Sequence, residues 1–71
     1  MEESYKDRLK TEFHELHERL DKLSNFINEI HAGNIPEDFN SNITLLEAQF
    51  GVMLTYQSIL ILRAQVEEVE L

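Results

Sequence analysis

The chain has no cysteine and no tryptophan, one proline and two glycines, and only 6 lysines and arginines against 14 aspartates and glutamates. Each shortage excludes something. Without cysteine there is neither a disulfide staple nor a thiolate metal site. With a net charge of −8 there is no basic footprint, which argues against general nucleic-acid binding and equally against adhesion to anionic membranes. There is no glycine-rich phosphate loop, no nucleophile paired with a base and no cofactor fingerprint, so neither an enzyme nor a cofactor is expected. The N-terminal stretch MEESYKDRLK is charged throughout, unlike a secretory leader, and a cytoplasmic protein is expected. Asn42-Ile43-Thr44 matches the glycosylation triplet, and without secretion that match is chance.

What is present is helical periodicity. The 71 residues are one domain at most, and residues 1–71 read as a single helical-hairpin domain. After the acidic lead-in Met1 to Glu3, Ser4 is an N-cap candidate with Asp7 three residues on. A first helix over about residues 4–31 carries Leu9, Phe13, Leu16, Leu20, Leu23, Ile27 and Ile30, spaced alternately four and three, which is one buried face. Its other faces are charged. Glu15–Arg19 and Glu18–Lys22 sit at i,i+4 and would each add a few tenths of a kcal/mol, about 0.2–0.5. Gly33 suits a left-handed helix stop, and Pro36-Glu37-Asp38 suits one tight turn in the connector. Asn40, Ser41, Asn42 and Thr44 all offer caps for the next helix, and Thr44 with Glu47 has the capping-box spacing.

The second helix, about residues 42–69, has one apolar seam too many. With Ile43 at heptad position a, the a/d set is Ile43, Leu46, Phe50, Met53, Gln57, Leu60 and Ala64, interrupted by one polar residue. Positions c and f hold Leu45, Ala48, Val52, Thr55, Ile59, Leu62, Val66 and Val69, at the same alternating spacing on a different face. Between them run Thr44, Gly51, Ser58 and Gln65, and Leu54 and Ile61 widen the apolar surface. The uncharged run Ala48–Leu62 is expected to be too short for a membrane span of roughly 20 residues. A two-helix protein can use only one seam internally. The second, with Leu45, Val52, Ile59, Leu62 and Val66, is read as an oligomer interface or a groove for a foreign helix or apolar ligand. Burying those five side chains would contribute about 8–15 kcal/mol gross per subunit. A core this small rarely supplies more than about 3–5 kcal/mol alone. The expected fold is therefore all-α, an antiparallel two-helix hairpin that oligomerises through its second helix.

Three polar groupings remain. An antiparallel hairpin places Glu67, Glu68 and Glu70 near Lys6, Arg8 and Lys10, which reads as charge pairing or as an anion site. His14 and His17 are three apart rather than the four of a zinc-protease helix, no third ligand is placed, and no metal is expected. His31 sits where it offsets the helix dipole. The third grouping is an edge: Tyr5, Glu12, Arg19 and Phe26 flank the first seam, and Gln49, Tyr56 and Arg63 flank the second. Overlaid antiparallel, Arg63 falls near Glu12 and Tyr56 near Arg19. This suits a planar anion, since arginine pairs bidentately with phosphate, tyrosine stacks on a base and Gln49 reads a base edge. The ligand candidates are Arg19, Tyr56, Arg63, Tyr5, Arg8 and Gln49. The same edge reads equally as structure, with Arg63–Glu12 an ion pair, Tyr56 covering the seam and Arg19 stacked on it.

The pattern Tyr5-Lys6-x-Arg8-Leu9 … Leu16-x-x-Arg19-Leu20-x-Lys22-Leu23 … Leu45-Leu46-x-x-Gln49-x-x-x-Met53-x-x-Tyr56-x-x-x-Leu60-x-x-Arg63 resembles a family of very short proteins of crAss-like and other phages. More distantly, the layout is similar to the helical-hairpin domain of phage anti-CBASS and anti-Thoeris sponge proteins. That resemblance implies an oligomer that sequesters a cyclic-nucleotide immune signal without cleaving it, in the host cytoplasm. Its expected partners are a second copy of itself and the nucleotide, or alternatively a host defence protein that it binds and inhibits. A purely structural oligomer is the remaining alternative.

Overall fold

The computed structural model describes residues 4–40 and 42–71. The lead-in Met1 to Glu3 and the cap candidate Ser41 lie outside the described residues. Helix α1 spans Tyr5–His31 and helix α2 spans Ile43–Val66, and among the described residues there is no strand. The molecule is an antiparallel hairpin measuring 45 × 25 × 16 Å.

α1 begins where its sequence indicates. The Asp7 N–H donates to Ser4 Oγ at 3.1 Å, satisfying one of the helix's unpaired N–H groups. It stops at Ala32, after which Gly33 takes φ 94°, a left-handed conformation that glycine adopts without a Cβ penalty. The Asn34 N–H then reaches the Glu29 carbonyl at 2.9 Å and the Gly33 N–H the Ile30 carbonyl at 3.0 Å, closing a Schellman stop. In the connector, the Phe39 N–H donates to the Pro36 carbonyl at 3.0 Å, the expected tight turn. Phe39 packs edge-on against Phe26 with centroids 5.6 Å apart, fastening the turn to α1.

Of the cap candidates for α2, Asn42 serves: its Oδ1 accepts from the Thr44 N–H at 2.7 Å. Thr44 is then inside the helix, so no capping box with Glu47 forms. Glu47 turns instead to α1, its carboxylate 3.4 Å from His31 Nε2. The far end of α2 corrects the expected boundary of 69. Glu67 is the C-cap, Glu68 is left-handed at φ 56°, and the Val69 N–H donates back to the Ala64 carbonyl at 2.8 Å. That reversal folds Val69 onto the core formed by Leu9, Leu16, Leu20, Leu60 and Ala64. Heptad counting places Val69 on the outward face; the helix stop takes it off that face.

The two faces of α2 separate cleanly. Every a/d residue from Ile43 to Ala64 is buried or half-buried, and apart from Arg63 no other residue of the helix is. Leu60 is fully buried against Leu9, and Phe13, Phe50 and Met53 close over the core. Gln57, the polar member of the seam, meets His17 across the interface, its Nε2 3.0 Å from Nδ1. No buried side-chain polar atom lacks a partner among the described residues. Of the two i,i+4 pairs on α1, Glu18–Lys22 forms at 3.3 Å; Glu15–Arg19 is not among the ion pairs of the described residues.

The uncharged run Ala48–Leu62 is short, but by length and composition the whole of α2, 24 residues, is enough to cross a membrane. Its a/d face is nevertheless occupied by α1, whose opposite surface is charged from Lys6 to Glu29.

Candidate functional site

The antiparallel register sets the last turns of α2 beside the first turns of α1. Arg63, the one cation of α2, therefore lies against Tyr5 and Glu12. Its Nη2 donates to Tyr5 Oη at 2.6 Å, its Cζ stands 5.7 Å from the Tyr5 ring centroid, and its Nη1 is 3.7 Å from Glu12 Oε1. The hydrogen bond to Tyr5 raises the guanidinium pKa above its ordinary value, with Glu12 and Glu67 acting in the same direction and partial desolvation opposing them. Arg63 is thus a fixed positive charge in a strongly acidic chain. Its separation from Glu12 is long and the pair is half in water, where such a bridge is worth about 0–1 kcal/mol. An anion could displace that carboxylate at small cost, whereas the short Tyr5 contact fixes where the guanidinium points.

Beside this pair is an open recess of about 240 Å³, lined by Tyr5, Ile59, Leu62, Arg63, Val66 and Glu67. Two features that the sequence presents separately, the polar edge and the second apolar seam, meet here. The signal was available: Arg63 at g is adjacent on the helix surface to Ile59 and Val66 at c, three or four residues away.

The six ligand candidates divide into those in contact and those apart. Tyr5 and Arg63 are in contact. Arg8 lies one turn further along α1 and is engaged in a contact of its own. Arg19 is exposed, and no hydrogen bond or ring contact joins it to Tyr56 among the described residues, so the expected Arg19–Tyr56 stack does not form. The cation–π contact is made by Arg63 and Tyr5 instead. Gln49 packs along its own helix, its Nε2 3.9 Å from Met53 Sδ. At a rise of 1.5 Å per residue, Gln49 stands roughly 21 Å along the axis from Arg63, with Tyr56 midway. Within one hairpin the edge is a line rather than a pocket. Lys6 and Lys10 are in none of the ion pairs of the described residues, while Glu67 acts on Arg63.

The interface candidates are all in solvent. Leu45, Val52, Ile59, Leu62 and Val66 expose between 50% (Ile59) and 82% (Val66) of their surface. Thr55 belongs to the same face and is less polar than its type, because its hydroxyl donates to the Gly51 carbonyl at 3.2 Å. A second recess of about 340 Å³, lined by Ser24, Ile27, Asn28, His31, Glu47, Phe50 and Gly51, lies near the connector end. His14 and His17 belong to no group of metal-binding side chains among the described residues; His17 is held by Gln57 and lies 3.7 Å from Asp21.

Comparison with known proteins gives one finding. No curated protein and no solved structure matches the chain. The sequence profile of the Sequestin family matches residues 3–66, which take in both helices and the connector between them, and the chain belongs to that family.

Proposed function

We propose that this protein is a non-catalytic sequestering protein, encoded by a phage, that self-associates through the outward face of α2 and holds an anionic nucleotide signal of the cyclic-nucleotide type. The family name carries the sense of sequestering and supports a role in which a ligand is retained rather than converted. The observation that carries the ligand class is Arg63, fixed by Tyr5 at 2.6 Å beside an apolar recess. A guanidinium aimed by a phenol can take a phosphate, and the recess beside it offers Tyr5 and aliphatic side chains to a planar base. The chain contributes binding groups only: no nucleophile with a base stands at the recess. Retention of an immune signal in the host cytoplasm would defeat a defence that depends on it.

The exposed stripe from Leu45 to Val66 favours one second reading, in which a host protein docks on α2 and is inhibited directly. Native mass spectrometry of the protein incubated with a panel of cyclic mono- and dinucleotides separates the two. Sequestration predicts a stoichiometric mass addition that Arg63→Ala removes while the oligomer persists. If no nucleotide adds to an otherwise intact oligomer, or if Arg63→Ala binds as the parent does, the sequestering site is not the one described.

A further inference from the structure

α2 carries two charged side chains, and both turn toward α1: Glu47 to His31, Arg63 to Tyr5 and Glu12. Its opposite face is uncharged from Leu45 to Val66. Uncovering five aliphatic side chains by half or more leaves on the order of 500 Å² of apolar surface per copy, so two copies would bury about 1,000 Å², the lower limit of a specific interface. Seven buried side chains among the described residues are a small core for a free-standing fold, which gives that burial an energetic purpose.

Charge decides the direction. Laid parallel, two α2 helices would set Arg63 against its own copy and the Glu67, Glu68 and Glu70 cluster against itself. Laid antiparallel, each Arg63 faces the first turns of the other helix, whose one charge, Glu47, is turned to His31, and the two helix dipoles oppose. Interleaving the c and f positions about a two-fold axis near Gln57 stacks Val52 on Leu62, Thr55 on Ile59 and Ala48 on Val66 of the other copy. The flank that results is specific: Tyr56 meets Tyr56 of the other copy, and Gln49 comes to Arg63 of the other copy.

We propose that a second copy of this chain covers the outward face of α2 in this antiparallel arrangement, and that its Gln49 completes the recess at Tyr5 and Arg63. Two identical sites then stand at the two ends of one interface. The 21 Å that separates Gln49 from Arg63 within a hairpin ceases to matter, because the side chains that meet belong to different copies. The amide adds a neutral donor and acceptor side by side, suited to the edge of a base whose phosphate lies on Arg63. The ligand half of this proposal rests on the sequestering reading; the interface half does not.

The absence of native cysteine makes the test direct. Gln49→Cys and Arg63→Cys chains, one of them isotope-labelled, are mixed and treated with a short bismaleimide, with helicity checked by circular dichroism. The expected product is a cross-link between unlike chains only, lost when Leu62→Glu is added to both. A cross-link between two Gln49→Cys chains, or a monomeric wild-type mass that changes only with added lipid vesicles or a host protein, would overturn it. Nucleotide retention is read separately by native mass spectrometry, where Gln49→Ala should weaken it about fivefold without dissociating the dimer. A cross-link with no nucleotide retained removes the sequestering reading and leaves the interface; nucleotide held by a monomer does the reverse.

Discussion

The two sides of α2 are built from the same residue types and meet opposite fates. Leu60 on the inner side is fully buried; Ile59, its neighbour in sequence, exposes half its surface. Composition does not distinguish them. What does is α1, whose single apolar seam covers one stripe and whose other faces are charged. A helix that is amphipathic needs one partner, whereas a helix that is apolar on two sides needs two. The hairpin supplies one of them, and the function proposed above follows from the remaining demand.

Substitutions should affect the two sides differently. The largest effect is expected on the inner side: Leu60→Ala empties a fully buried position and should cost about 2–5 kcal/mol, enough to unfold much of a hairpin of this size. A urea titration followed by circular dichroism would show it. If that variant melts as the parent does, the described core is not what holds the helices together. On the outer side, Ile59→Glu should leave the hairpin's helicity intact and abolish self-association, read by size-exclusion chromatography with light scattering. Loss of helicity would mean that the hairpin cannot stand without its partner, and an unchanged oligomer would move the interface elsewhere.

Smaller effects test the ends and the rim. Asn42→Ala removes the side-chain cap of α2 and should lower stability by about 1 kcal/mol, whereas Thr44→Ala, which caps nothing, should cost less. Equal costs at the two positions would place the helix start elsewhere. Glu12→Gln frees Arg63 of its carboxylate and should change stability by no more than about 1 kcal/mol, while strengthening retention of an anionic nucleotide. Weaker retention would show that Glu12 itself contacts the ligand.

Much of this was legible in the sequence, and the reasons differ by element. The a/d seams of both helices emerged from spacing because period and burial are the same information in a hairpin. The start of α2 did not, because four candidates within five residues could all cap it and only backbone geometry selects Asn42. Val69 was misplaced because heptad counting continues past a helix stop, while Glu68 in the left-handed region reverses the chain. At the edge, the overlay correctly paired Arg63 with Glu12 but stacked Arg19 on Tyr56. Register fixes which Cα atoms are neighbours; it does not fix where a long side chain points, and Arg63 reaches Tyr5 while Arg19 extends into water. The polar edge meets the outer apolar stripe at Arg63, a junction that heptad positions divide between separate faces.

Sedimentation equilibrium of the wild-type chain over a wide concentration range shows whether the outward face of α2 is an interface between copies. A defined oligomer is expected, which Ile59→Glu converts to a folded monomer of 8.4 kDa. A wild-type chain that stays monomeric at every concentration, with its helices formed, would contradict it.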